Sequence, residues 1–281
     1  MPVRTTTRRR QLGATLRKLR ARKGMTLEEA GGLVGVSKAT VSRYETQAGP
    51  VKWIVIDALC REYGATDAER EAVVRLAKDA KQRGWWSSFA DSIPESMNLL
   101  LTLEDEAVRE DHFSCVYVPG LLQTRSYSTA LQRANEIPLE PDEIERLVDI
   151  RMKRQDILTR PKPPRLWAIL DESVVRRVVG APETMKEQLD RLLEANESPH
   201  ITLQVLPFSK GAHCAALGSF VILGGTESAL DVVYVDFHTG SLFLEQEVEL
   251  ERYRLAFEYL RAQALDMEAS SALIHRVRKE L

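Results

Sequence analysis

The chain has 281 residues, 44% of them apolar and 28% charged, enough for about two soluble globular domains. Its longest apolar runs, Val232–Val235 and Phe220–Leu223, fall far short of the roughly 20 residues a membrane helix needs, and its polar, basic start argues against a secretory signal. The net charge of −2 hides a division: residues 1–83 hold 18 Lys/Arg against 9 Asp/Glu, residues 84–281 hold 21 against 32, so a basic module suited to a polyanion precedes an acidic one.

Residues 1–9, with Arg8 and Arg9 followed by Arg10, are expected to form a flexible basic arm. From Gln11, the spacing of Leu12, Leu16 and Leu19 predicts one buried helix face, closed at Gly24. Thr26 and Glu29 make a capping box for a short second helix that carries Gly31 and Gly32. Ser37 caps a third helix, Lys38–Thr46, with Val41 and Tyr44 turned inward. A Gly49-Pro50 turn leads to a fourth helix with Trp53, Ile56, Leu59, Cys60 and Tyr63 inward, and Thr66 and Asp67 open a fifth that runs to Gly84. The domain boundaries read from this are 10–66 for the helical domain, 67–84 for a connecting helix and 85–281 for the rest.

The segment Leu27–Glu45 meets every demand of a helix-turn-helix. Small residues, Ala30 and Gly31, stand where two helices would cross, and Gly35 supplies a left-handed turn. Leu27, Val34, Val36, Val41 and Tyr44 are apolar anchors, whereas Lys38, Ala39, Thr40, Ser42 and Arg43 are small or hydrogen-bonding and lie outside. Two amphipathic helices of an unrelated bundle would explain Val41 and Tyr44 equally well, but not a basic domain whose outer helix face carries no acid from Val36 to Tyr44. Residues 10–64 resemble the five-helix DNA-binding domain of the XRE/Cro repressor family. The resemblance places base-edge contacts at Lys38, Ala39, Thr40, Ser42 and Arg43 and phosphate contacts at the helix starts Thr26 and Ser37, and it makes Glu45 structural. The arginines of the arm, Arg8, Arg9 and Arg10, would add salt-sensitive phosphate affinity. Thr46-Gln47-Ala48-Gly49 departs from the family's Gly-Lys/Arg at this place.

After Gly84-Trp85-Trp86, strands are predicted at Phe113–Val118, Leu166–Leu170, Ile201–Leu206, Ser219–Leu223, Val232–Phe237 and Leu242–Leu244, with helices near 95–110, 121–135, 141–159 and 182–196. Short Gly-containing turns between the last three strands predict an antiparallel meander, and a helix from Glu245 and another from Asp266 close the chain. The fold class is therefore an all-α five-helix helix-turn-helix domain joined to a mixed α/β (α+β) domain. Within the latter, Leu250, Tyr253, Phe257, Leu260 and Ala264 form a stripe that suits core packing or a dimer interface. Cys60, Cys115 and Cys214 are spaced for neither a disulfide framework nor zinc, which fits a reducing cytoplasm. His213-Cys214, read as strand neighbours, would face opposite ways, and Asp171-Glu172 reads as a helix cap. No phosphate loop, metal motif or nucleophile elbow is seen, so no cofactor, metal or catalytic residue is expected.

Val118–Tyr127, Arg151-x-x-Arg-Gln-Asp-Ile-Leu158, Leu170–Ser173, Val205–Phe208, Gly218–Phe220 and Val233-Tyr234 resemble the C-terminal domain of the WhiJ-like, antitoxin-like regulators of actinomycetes. That resemblance implies a transcription factor with a small acidic-to-neutral partner protein encoded nearby. The signature residues themselves read as structural, with Arg151 and Arg154, at helix spacing, either paired with Asp171 or Glu172 or lying on a solvated face. The expectation is a cytoplasmic, nucleoid-associated homodimer that binds a double-stranded DNA operator and receives a partner protein or small-molecule effector, with no membrane. An antitoxin-like interaction protein and an enzyme fused to a DNA-binding module are the alternatives.

Overall fold

The computed structural model describes residues 7–46, 51–79, 93–134, 139–215, 218–225, 231–238 and 240–281. The chain forms two compact units, Met1–Glu106 and Ala107–Leu281. The division falls later than the change of character at Gly84.

The first unit holds α1 (Thr7–Arg22), α2 (Leu27–Leu33), α3 (Lys38–Thr46), α4 (Trp53–Glu62), α5 (Asp67–Asp79) and α6 (Glu95–Glu106). Leu12, Leu16 and Leu19 of α1 meet Ala30, Val41, Tyr44, Ile56, Leu59, Cys60, Val73 and Ala77 in one buried cluster. Helix α1 starts at Thr7, so residues 7–9 of the expected arm are helical, and residues 1–6 lie outside the described residues. Helix α5 is part of this bundle rather than a connector, because Val73 and Ala77 sit in its core. Trp53 is 38% exposed, since it occupies the first turn of α4, at the rim of a core set by Ile56 and Leu59. The Gly49-Pro50 turn, Gly84 and Trp85-Trp86 lie outside the described residues.

At the α2–α3 crossing, Ala30 and Gly31 are buried. A Cβ on Gly31 would stand 2.5 Å from the Val36 carbonyl oxygen and 3.2 Å from the Ser37 carbonyl carbon, both backbone atoms that cannot swing away. Gly35 takes the left-handed turn at φ +70°.

The second unit is a six-stranded sheet in the order β3-β2-β1-β4-β5-β6. Strands β1 (Arg109–Ser114), β2 (Arg165–Asp171) and β3 (Ile201–Leu206) are parallel; β4 (Phe220–Gly224), β5 (Val232–Phe237) and β6 (Gly240–Leu244) form the antiparallel meander, with β4 also antiparallel to β1. Helices α7 (Arg125–Arg133), α8 (Pro141–Arg154), α9 (Glu172–Arg176) and α10 (Pro182–Asn196) connect the parallel strands, and α11 (Glu247–Gln263) and α12 (Met267–Glu280) follow the meander. One core joins Leu166, Ala168 and Leu170 to Leu189, Leu192, Ile274 and Val277. The other packs Phe113, Ile169, Ile222 and Val233 against Leu250, Phe257 and Leu260 of α11, so the α11 stripe is core.

Strand β1 begins four residues earlier than the sequence suggests, and the expected helix to 110 ends at Glu106. The cause is polar burial. Paired on both edges, β1 turns Glu110 and His112 into the interior, where His112 Nε2 lies 2.9 Å from Glu110 Oε2. Burial raises the Glu110 carboxyl to about 7, against the opposing pull of Arg154 and Arg160.

Two outcomes follow from this packing. Gly31→Ala will destabilise the helical unit by about 1–3 kcal/mol through overpacking, whereas Gly32→Ala, whose Cβ meets nothing within 4 Å, will be neutral or stabilising; thermal melts of the two variants check the contrast. Because Glu110 rises from an ordinary 4.5 to about 7 on folding, the stability it favours is fully present below about 4.5 and is lost as pH climbs through about 7. The melting temperature of wild type relative to Glu110→Gln will therefore fall between pH 4.5 and 7 and level off above. Parallel profiles for the two proteins would contradict this.

Candidate nucleic-acid interface

The third helix is held from behind and open in front. Behind it, Val41 and Tyr44 are buried and Glu45 is 4% exposed. Glu45 accepts two bonds from Arg20 of α1, from Nε at 2.6 Å and from NH2 at 2.8 Å, while Arg20 NH1 donates to the Met25 carbonyl at 2.7 Å. Such a bidentate, charge-assisted pair fixes orientation as well as distance. Its start is fixed by Ser37, whose Oγ accepts from the Thr40 amide at 3.2 Å and lies 3.0 Å from Thr40 Oγ1.

On the open side, Lys38, Ala39 and Arg43 are exposed, and Thr40 and Ser42 are half-buried. Arg43 NH2 donates to Thr40 Oγ1 at 3.1 Å, which lays the guanidinium along the outer face. All five base-edge residues named by the sequence therefore share one accessible helix surface. Beside it is a cleft of about 350 Å³ lined by Val36, Ser37, Thr40, Arg43, Tyr44, Lys52 and Val55. No acid lines it.

The cations of this unit are sorted. Arg20 is spent on Glu45, Arg22 on Glu69, and Arg61 and Arg70 on Asp57. Among the described residues, Lys18, Lys23, Lys38, Arg43 and Lys52 form no ion pair, and of these Arg43 and Lys52 line the cleft. Sequence reasoning missed Lys52, since only the fold brings the start of α4 beside Arg43; its signal was a lone cation just past the expected turn.

Of the phosphate candidates, Ser37 stands at the start of α3 next to the cleft. Thr26 is occupied by its capping box: its hydroxyl accepts from the Glu29 amide and donates to Glu29 Oε2 at 2.9 Å. The Thr26 amide, which donates to Glu29 Oε2 at 2.8 Å, and then the Thr26 hydroxyl hold the Glu29 carboxyl below its usual range, which leaves a negative charge at the α2 N-terminus. Arg8, Arg9 and Arg10 lie in the first turns of α1, and their side chains fall outside the described residues.

The residues singled out in the second unit are mostly structural. A Cβ on Gly120 would stand 2.7 Å from Arg151 NH1 and 3.1 Å from Arg154 NH1, so the Pro119-Gly120 turn lies directly under both guanidiniums. Gln155 Nε2 donates to the carbonyls of Gly120 and Gln123, closing the clasp. Arg154 acts on Glu110 rather than on the Asp171-Glu172 pair. Asp171 caps α9 through the Ser173 amide, and Glu172 pairs with Arg176 and accepts from the Phe208 amide. His213 and Cys214 lie in the β3–β4 loop, not in a strand. His213 Nε2 is 3.8 Å from Asp171 Oδ2, and Cys214 Sγ points to the Ala256 carbonyl. No described helix is long and apolar enough to cross a membrane.

Residues 11–73 match a family model described as a helix-turn-helix domain, in agreement with the geometry of α2 and α3. No curated protein and no solved structure matches the chain. A second family model, described as a domain of unknown function (DUF5753), matches residues 97–276. Covering most of the chain, this match shows that it belongs to the DUF5753 family, with a helix-turn-helix domain on its N-terminal side.

Proposed function

We propose that the chain is a sequence-specific transcriptional regulator of the XRE, WhiJ-like kind and not an enzyme. It acts in the cytoplasm as a homodimer whose α3 helices enter successive major grooves of an operator, with half-sites one turn, roughly 34 Å, apart. Arg43 and Lys38 donate to guanine O6 and N7, Thr40 and Ser42 hydrogen-bond base edges, and Ala39 lies against a thymine methyl. Ser37, Lys52 and the arginines Arg8, Arg9 and Arg10 hold phosphates, and Thr26 does so only from beside its own capping acid. The acidic α/β domain receives the signal, a small partner protein or a small-molecule effector.

The observation that carries this reading is the division of α3 into a locked inner face and an outer face of uncompensated, oriented donors. A helix serving only to fill a bundle has no need of unpaired cations on its outer face.

Selection of duplexes from a random pool tests it. Wild type will enrich one motif, and Arg43→Ala, with its melting temperature unchanged, will lose preference at the contacted guanine by about 1–3 kcal/mol. Retention of the same motif by that variant would overturn the assignment of α3. Lys52→Ala will weaken all sequences alike and lower the slope of log affinity against log salt by about 1, measured by fluorescence anisotropy; an unchanged slope removes Lys52 from the interface.

A further inference from the structure

Helix α11 does not fill all the space between itself and the sheet. A cavity of about 380 Å³ remains, lined by Arg252, Tyr253 and Ala256 of α11, by Phe220 at the start of β4, and by Cys214 and Ser219 of the loop before it. That volume suits one small organic molecule and is too small for a face of a second protein. Its place in the fold also suits a ligand. Phe220 stands in register with Phe113, near the carboxyl end of β1, where the parallel half of the sheet meets the antiparallel half. Open α/β sheets hold their ligands beyond the carboxyl ends of parallel strands.

The walls are mainly apolar and partly aromatic, with few polar groups. Phe220 meets Tyr253 edge-on, their ring centroids 5.0 Å apart. Cys214 Sγ donates to the Ala256 carbonyl at 3.5 Å, which joins the loop to α11. Ser219 Oγ accepts from the Cys115 amide at 3.0 Å and lies 3.5 Å from Cys115 Sγ, so its own hydrogen can go to that sulfur or to a ligand. Arg252 differs from its neighbour on the helix. Arg254 is bound to Asp231 and Glu247, whereas Arg252 is exposed and has no ion pair or hydrogen bond among the described residues. No acid stands among the described residues that line the cavity, although residues 84–281 carry 32 acids against 21 bases.

We propose that this cavity binds a small aromatic carboxylate. Its ring packs among Phe220, Tyr253 and Ala256, where edge-on and offset aromatic contacts add to burial. Its carboxylate takes the paired donors of the Arg252 guanidinium, with Ser219 as a further donor. A cation would meet like charge at Arg252, and a neutral ligand would leave that guanidinium unmatched. As the signal received by the acidic domain, this ligand rests on the proposed function; its binding does not.

Calorimetric titration of the full chain with 2-naphthoate, and with the neutral 2-naphthamide, tests it. The expected result is one naphthoate per chain with a Kd below about 1 mM, and naphthamide bound about tenfold more weakly. Arg252→Gln will weaken naphthoate about tenfold and leave naphthamide unchanged. Arg276→Gln, at an exposed arginine of α12 on the other face of the sheet, will change neither. Circular dichroism melts confirm that both variants fold. Naphthoate will also slow alkylation of Cys214 by iodoacetamide, read by mass spectrometry, which places the ligand at this cavity. No binding at about 1 mM, equal loss in the two arginine variants, or Cys214 alkylated at an unchanged rate overturns the site. Duplex selection is measured separately. A chain that selects no duplex yet binds naphthoate at Cys214 keeps the site and overturns its part in gene control, whereas one that selects its motif without binding naphthoate loses the site alone.

Discussion

Glu45 is a carboxylate in the interior of a small basic domain, where Arg20 meets it with two hydrogen bonds and anchors itself on the Met25 carbonyl. The pair ties the last turn of α3 to α1 and to the loop that starts α2. Burial and the Glu45 charge also hold the neighbouring Tyr63 phenol protonated well beyond its usual range. Breaking such a pair by removing one partner leaves an unmatched buried charge, at about 3–5 kcal/mol. Orientation is the larger consequence. With Val41 and Tyr44 seated and the far end clamped, α3 has one rotational setting, and that setting presents Lys38, Ala39, Thr40, Ser42 and Arg43 together.

The same economy of charge runs through the unit. Carboxylates are placed against Arg20, Arg22, Arg61 and Arg70, which act as internal ties. Two of the cations left over, Arg43 and Lys52, line the cleft beside α3, where no acid stands among the described residues. A polyanion approaching this surface finds donors already oriented by Ser37 and Thr40, so little side-chain freedom is lost on binding. In the second unit the polar signature residues serve architecture. Gly120 lies under Arg151 and Arg154, and Gln155 closes the turn, so the β1–α7 connection is fixed by guanidinium packing and amide bonds as well as by buried Val118, Leu121 and Leu122.

The helix-turn-helix was legible because its constraints are local. Ala30-Gly31, Gly35, and the Thr26 and Ser37 caps each state a requirement that spacing alone exposes, and the structure meets every one. The meander was legible for a similar reason, alternation between glycine turns. Strand β1 was not, because Arg109-Glu110-Asp111-His112 looks like the polar end of a helix, and only pairing with both β2 and β4 lets a sheet bury Glu110 and His112. Lys52 was missed because its place beside Arg43 depends on how α4 sits against α3, which a lone cation past the turn does not reveal. The partner of Arg154 was not legible because helix spacing gives a face and not its opposite wall, which here holds Glu110.

The central claim is that the outer face of α3 reads base edges in the major groove. Methylation interference on the duplex the chain selects tests it most directly. Methylation of guanine N7, which projects into the major groove, will block binding at discrete positions in each half-site, and methylation of adenine N3 in the minor groove will be tolerated there. Binding indifferent to N7 methylation at every guanine would show that α3 does not read that groove and would contradict the account.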